Sequence, residues 1–188
     1  MKEIALYTLD IAQNSITAQA RRLDITLTEE GKTITLSIRD DGTGMAPELL
    51  ARVSDPFTTT RTTRKVGLGV PLFKMAAEQT GGSFSIESEP GKGTTVTAVF
   101  KPSHIDMTPL GDINSTVGLL IYSNPERDFI FRRERDGRSF TLDTRELREI
   151  LGEEVKLSAP EVSEWIQGYL KEQTDMIFGG AQEDENIS

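Results

Sequence analysis

Apolar and polar positions along the first hundred residues follow two alternating rhythms, one helical and one of period two. Over residues 3–20 Ile4, Tyr7, Ile11 and Ala18 share a stripe, with Ala5, Leu9 and Ala12 beside it, which predicts an amphipathic helix. The run "DITLTEEGKTITLSIRDDG" then alternates. Ile25 and Leu27 point one way, a turn falls at Glu30-Gly31, and Ile34, Leu36 and Ile38 continue the period. That pattern predicts a hairpin with one buried face, broken by the glycine-rich "DDGTGM". A second helix is expected in "GVPLFKMAAEQTGG", where Pro71 suits a first turn and Gly81-Gly82 a stop. "SFSIES" and "TTVTAVF", joined by the turn-rich "EPGKG", predict another hairpin. Helices on one face of an antiparallel sheet make an α+β fold, a two-layer α/β sandwich.

Periodicity weakens over "KPSHIDMTPLGD" and resumes beyond it. The expected organisation is a domain over 1–102, a linker over 103–112, a C-terminal α+β extension over 113–175 and a flexible acidic tail over 176–188. In the extension "STVGLLIY" and "DFIFRR" read as strands, and a turn at Asp136-Gly137 leads into a third strand, "SFTLD". These strands either lengthen the first sheet or form a small unit of their own. Asp143 and Glu146 can start a short helix through Leu151, and Ser158-Ala-Pro-Glu161 has the spacing of a capping box. The stripe Val162, Trp165, Ile166, Tyr169, Leu170 that follows reads as core packing, the single Trp included. "FRRERDGR" reads as a solvated, charged hairpin edge.

Composition narrows the function classes. The 188-residue chain carries a formal charge of −9 and no cysteine, which excludes disulfides, thiolate metal sites and thiol nucleophiles. Its acidity argues against a general nucleic-acid binder. No apolar run has the length of a signal peptide or membrane anchor, so a cytoplasmic protein is expected. Against that acidic background "TTTRTTRKVGLGV" (Thr58–Val70) concentrates five threonines and three cationic side chains.

Three short patterns carry candidate chemistry. Asp10 and Asn14 lie four apart and share one helix face, turned either to solvent or to a site. Asp40 has the parity of Ile34, Leu36 and Ile38, so alternation aims its carboxylate at the buried side, unless the "RDDG" turn bends it outward. Gly42 and Gly44 leave room for something flat to approach the backbone. Lys65–Gly69, "KVGLG", stands at the mouth of the second helix, where free N–H groups and the helix dipole favour an anion. Its spacing is neither the Walker loop nor the dinucleotide fingerprint. In this order the three suit a nucleotide.

These motifs resemble the GHKL superfamily, the ATP-binding fold shared by gyrase, the large heat-shock chaperone, MutL and sensor histidine kinases. Asp10-x-x-x-Asn14-x-x-x-Ala18 resembles its N box, Asp40-x-Gly42-x-Gly44 its first glycine box and "KVGLGVPL" its second. "DPFTTT" and "AAEQTGGSFSIESEPGKGTTVTAVF" look most like the sensor-kinase branch, and the likeness runs from Lys2 to about Pro102. The resemblance implies ATP and Mg²⁺ as ligands. Asn14 would ligate Mg²⁺, Asp40 would accept the adenine amino group, and Gly42, Gly44 and Met45 would shape or border the base pocket. Gly67 and Gly69, with Leu68 between them, would admit the phosphates, with Arg64 or Lys65 pairing with them. Thr94 would support the adenine pocket, and the threonine stretch would be the ATP lid.

Asp10 departs from the pattern. The hydrolysing members and the serine-kinase anti-sigma factors carry Glu there as general base, whereas sensor kinases usually have a non-acidic residue. Aspartate has the chemistry on a shorter arm, so Asp10 is the candidate catalytic residue. His104, the only histidine, lies in the proline-bounded linker and reads as an ordinary linker residue, not a phosphoacceptor. The expected function is a stand-alone, regulatory kinase or ATPase acting on a protein partner. The alternatives are a nucleotide-gated binding module without turnover and the ATP-binding half of a split two-component kinase.

Overall fold

A computed structural model describes residues 3–55 and 68–185, with side chains through Gly179. Helix α1 (Ile4–Thr17) precedes strands β1 (Arg22–Glu30) and β2 (Thr33–Asp40). Then come α2 (Pro47–Val53), α3 (Gly69–Gln79), β3 (Ser83–Glu89) and β4 (Gly93–Phe100). The C-terminal part supplies α4 (Ile113–Ser123), β5 (Asp128–Arg135), β6 (Arg138–Asp143), α5 (Thr144–Leu151) and α6 (Pro160–Glu185). The six strands form one sheet in the order β3-β4-β2-β1-β5-β6. Among the described residues only β1 and β5 pair in parallel, with Leu23 opposite Phe129. The extension's strands therefore lengthen the first sheet.

Strand alternation decides which face is covered. Leu23, Ile25 and Leu27 of β1, Leu36 and Ile38 of β2, Val96, Ala98 and Phe100 of β4, and Phe129 and Phe131 of β5 are all buried. The other face carries Thr26, Ser37 and Thr97 in one cross-strand row and stays partly exposed. Helices α1, α3, α4 and α6 cover the apolar side, giving the expected two layers. Phe73 of α3 ties them together, stacked on Tyr7 at 5.3 Å and tilted against Phe100 at 5.8 Å. Irregular residues 101–112 cross the start of α1, where the Pro109 and Leu110 carbonyls accept the Ile4 and Ala5 N–H groups at 2.8 and 2.9 Å. Those contacts satisfy donors that a helix start leaves unpaired.

Four expectations need correction or extension. "STVGLLIY" is not a strand but the body of α4. Its buried positions 113, 116, 117, 120 and 121, with Gly118 beside them, follow helical spacing, and Asp112 caps it by accepting the Ser115 N–H at 3.0 Å. β-branched residues and a short apolar run imitate a strand there. Helix α2, begun by Pro47, has no counterpart in the sequence reading. Trp165 is 51% exposed, so the stripe buries Val162, Ile166 and Leu170 but not the indole. Helix α6 continues to Glu185, through most of the stretch expected to be a tail.

Arg133 keeps the buried parity of Phe129 and Phe131 and is only 6% exposed. Its guanidinium donates to Asn114 Oδ1 at 3.3 Å, lies 3.8 Å from Glu29 and faces the Phe178 ring at 5.0 Å, and burial lowers its pKa. Asp136 and Gly137, both at positive φ, close the β5–β6 hairpin as a two-residue turn.

Candidate functional site

The sheet end where β2 stops and β4 begins meets the C-terminal half of α1. A cavity of about 190 Å³ opens there, with Asn14, Asp40, Gly44, Met45 and Thr94 among its walls. Its remaining surface is largely apolar, from Ile11, Ile38, Ile86 and Val96 below to Leu49 and Val53 of α2 at the side. Val70, in the first turn of α3, also reaches it.

Asp40 turns inward, as its parity predicts, and is 9% exposed. Its Oδ1 accepts the Gly42 N–H at 2.9 Å and the Thr94 N–H at 3.2 Å, while Oδ2 accepts the Ser15 hydroxyl at 2.5 Å. The main-chain partners can only donate, so the group is held as an acceptor. A carboxylate has about four acceptor positions, which leaves capacity for one more donor from the cavity. A flat ligand with an amino edge satisfies that requirement.

The glycines are explained by close approach. A Cβ on Gly42 would stand 2.9 Å from the Ala18 carbonyl oxygen and 3.1 Å from Asp40 Oδ1. Gly44, at φ +71°, would put one 2.0 Å from the Glu89 carbonyl oxygen. Ser88 organises the same corner. Its Oγ accepts the Met45 N–H at 2.8 Å and lies 2.8 Å from the Thr94 hydroxyl. Met45 and Thr94 are thus coupled across the β3–β4 turn.

Asp10 lies one helical turn before Asn14 and is half-buried. A Cβ on Gly69 would stand 3.1 Å from Asp10 Cβ and 3.6 Å from its Oδ2, so the carboxylate borders the start of α3. That helix begins without a side-chain cap, which leaves the Gly69 and Val70 N–H groups without a side-chain acceptor from the cap position. Leu68, the residue before α3, is 44% exposed and is not among the cavity walls. Arg64, Lys65, Gly67 and nearly all of the threonine stretch lie outside the described residues.

Sequence reasoning missed Ser15, Ser88, Leu49 and Val53. Ser15 had a readable signal. It lies one turn from Ile11 on the apolar stripe, and a buried hydroxyl there needs a partner. Ser88 sits on an outwardly ordinary strand and gave none.

Two layers, a cavity between α1 and the sheet end, and an inward carboxylate followed by tight glycines define an ATPase class of fold. Residues 3–104 match the family described as "Histidine kinase-, DNA gyrase B-, and HSP90-like ATPase", more than half of the chain, and the chain belongs to that family. Among relatives, the sensor protein SrrB of Staphylococcus aureus is 47% identical over 76 residues, 38% of this chain and 13% of that protein. The chain thus aligns with a small part of the curated relative. Among solved structures, the Aquifex aeolicus MutL ATPase domain complexed with ADP superposes with TM-score 0.51 at 15% identity, covering 78% of this chain and 68% of that one. The N-terminal domain of a DNA repair protein gives TM-score 0.52 at 13% identity, covering 76% and 53%. Both likenesses concern the fold. They take in more of the chain than the family match does.

Among the described residues no group of three His, Cys, Asp or Glu side chains could hold a metal ion, and no helix is long and apolar enough to cross a membrane.

Proposed function

We propose that this chain is a cytoplasmic Mg-ATP-binding regulatory protein, acting as a stand-alone kinase or ATPase on a protein partner. The observation that carries the reading is the Asp40 carboxylate, fixed as an acceptor by Ser15, Gly42 and Thr94 at the base of an apolar cavity. An adenine amino group is a donor and suits it. The oxo group of guanine, an acceptor, would be repelled. Gly42 and Gly44 shape the base pocket by letting the backbone close against Ala18 and Glu89, and Met45 borders it. The phosphates would run past Asn14 to the start of α3 at Gly69, where free N–H groups and the dipole favour anions. Leu68, Gly67, Arg64 and Lys65 belong to the same proposed phosphate site, under a lid formed by the threonine stretch.

Magnesium fits the donor set. The Asn14 side chain offers a hard oxygen at the cavity wall, and Mg²⁺ takes few protein ligands, completing its shell with water and phosphate. The ion would neutralise phosphate charge. Asp10, beside Gly69, is the group proposed to take a proton from an attacking water or protein hydroxyl.

A second reading, half of a split kinase, is favoured by the position of His104. It follows β4 by four residues, at the strand end opposite Thr94, so about 20 Å of strand separates it from the cavity. At that distance His104 is not the phosphoacceptor of this cavity.

The test is calorimetric binding of ATP and GTP with Mg²⁺, followed by phosphate release by the same protein. Selective ATP binding with release is expected. Equal affinity for GTP would overturn the role of Asp40, and ATP binding without release would leave the gated module or split kinase.

A further inference from the structure

We propose that the outer edge of β6, with Trp165 and Tyr169 beside it, docks a positively charged extended segment of a partner protein as a seventh strand. This surface lies in the extension, beyond the residues matched by the family, and the proposal is independent of the nucleotide reading.

Three observations converge on it. The first is the free edge itself. β6 ends the sheet, and its two-residue turn at Asp136-Gly137 fixes the hydrogen-bond parity. Residues 138, 140 and 142 bond to β5, so the N–H and C=O groups of Ser139 and Thr141 point away from the sheet. The Thr141 carbonyl does so, since it accepts the Tyr169 hydroxyl at 3.4 Å, a long contact that leaves its second lone pair for an added strand. Such a row is a template for an added strand.

The second is an aromatic platform at that edge. Trp165 is half exposed and stacks on Tyr169 with centroids 5.0 Å apart and planes at 13°. Tyr169 stands edge-on to Phe140, and Phe140 to Phe131, so the exposed indole is anchored through a chain of rings to the core. A solvent-facing indole with a rigid base costs little entropy to bury against a partner.

The third is charge. Burial first, and then the charge of Glu146 in α5, raise the Tyr169 pKa. Glu161 precedes Trp165 by one helical turn, and Glu172 follows Tyr169 by one. None of these three carboxylates makes an ion pair among the described residues. The nearby cations Arg145 and Lys171 are taken by Asp143 and Asp175, and Arg138 lies at the hairpin end of the strand. An aromatic pair bracketed along its helix by Glu161 and Glu172 favours Lys or Arg, through charge and through the ring.

Trp165 is the only tryptophan, so its fluorescence reports on this surface alone. The probe is an eight-residue peptide alternating Lys and Val, titrated into the full chain, with a Glu-Val peptide as control. A saturable change with the Lys peptide alone is expected, weakened about fivefold when Glu146→Gln and Glu161→Gln are combined. N-methylation of alternate peptide amides should remove it, because strand pairing needs those donors. No response, an equal response to the Glu peptide, or full retention after N-methylation would overturn the proposal. A fluorescence change with protein concentration alone would also do so, by seating a second copy on the edge.

Discussion

The Ser15 hydroxyl of α1 lies 2.5 Å from Asp40 Oδ2 at the end of β2, joining the helix layer to the sheet inside the cavity. This contact supports the carboxylate in a fixed orientation, since Gly42 and Thr94 hold only the other oxygen. Asp40→Asn should weaken ATP binding by roughly tenfold to a hundredfold, the range expected when a bond to a charged group, about 1.5–3 kcal/mol, is lost. It should also narrow the margin over GTP, because an amide offers a donor to the guanine oxygen. Ser15→Ala should weaken binding less and keep the preference, as the carboxylate stays but loses one anchor. Calorimetry with the two nucleotides measures both. Equal losses in the two variants would contradict the division of roles.

Asp10 makes a different prediction, because it borders Gly69 at the start of α3 and is not among the cavity walls. Asp10→Asn preserves size and removes the capacity to take a proton. ATP affinity should change little, while phosphate release or transfer falls by about a hundredfold or more, the usual contribution of a general base. Unchanged turnover would remove Asp10 from the chemistry. Reduced affinity together with unchanged turnover would make it a positioning residue for the phosphates.

Much of this site was legible because it rests on periodicity. The alternation of Ile34, Leu36 and Ile38 aims Asp40 inward, where it lies buried, and helical spacing puts Asp10 and Asn14 on one face. The failures share a cause. In α4 a short apolar run carries no period that separates helix from strand, and its cap, Asp112, lies within the aperiodic stretch that precedes it. Trp165 followed the apolar stripe, but the stripe's width on α6 is set by what lies across it, and sequence does not display that. Ser88 acts through contacts with Met45, which lies beyond β2, and with Thr94 across the β3–β4 turn, relations made by the tertiary fold and not by any local pattern.

Gly44 of the first box and Gly91 of the β3–β4 turn separate two physical causes that sequence merges. Gly44 and Gly91 both have positive φ, near +71° and +78°. Gly44 faces the Glu89 carbonyl, 2.0 Å from an added Cβ, whereas nothing lies within 4 Å of one on Gly91. Gly91→Ala should therefore cost about 1 kcal/mol, the left-handed penalty alone. Gly44→Ala must also move backbone beside Met45 and should cost at least ~2 kcal/mol while reducing nucleotide affinity. Urea denaturation and calorimetry on both variants test this. Equal destabilisation would mean the β3–β4 turn yields freely.

Asp112 gives a pH prediction with a defined sign. Its carboxylate accepts the Ser115 hydroxyl at 2.6 Å and N–H at 3.0 Å, and those bonds hold its pKa below the ordinary carboxylate value, side-chain bond first. A carboxyl with a depressed folded pKa contributes stability that is complete above its unfolded pKa and disappears as pH falls through the folded one. At neutral pH Asp112→Ala should destabilise by about 1 kcal/mol, the usual value of an N-cap. As pH falls from about 5 the difference between wild type and variant should shrink and level off once Asp112 is protonated in both states. Denaturation midpoints across that range measure it. A difference that stays constant down to strong acid would mean the cap works through the neutral acid, and that α4 owes its start to the packing of Ile113 instead.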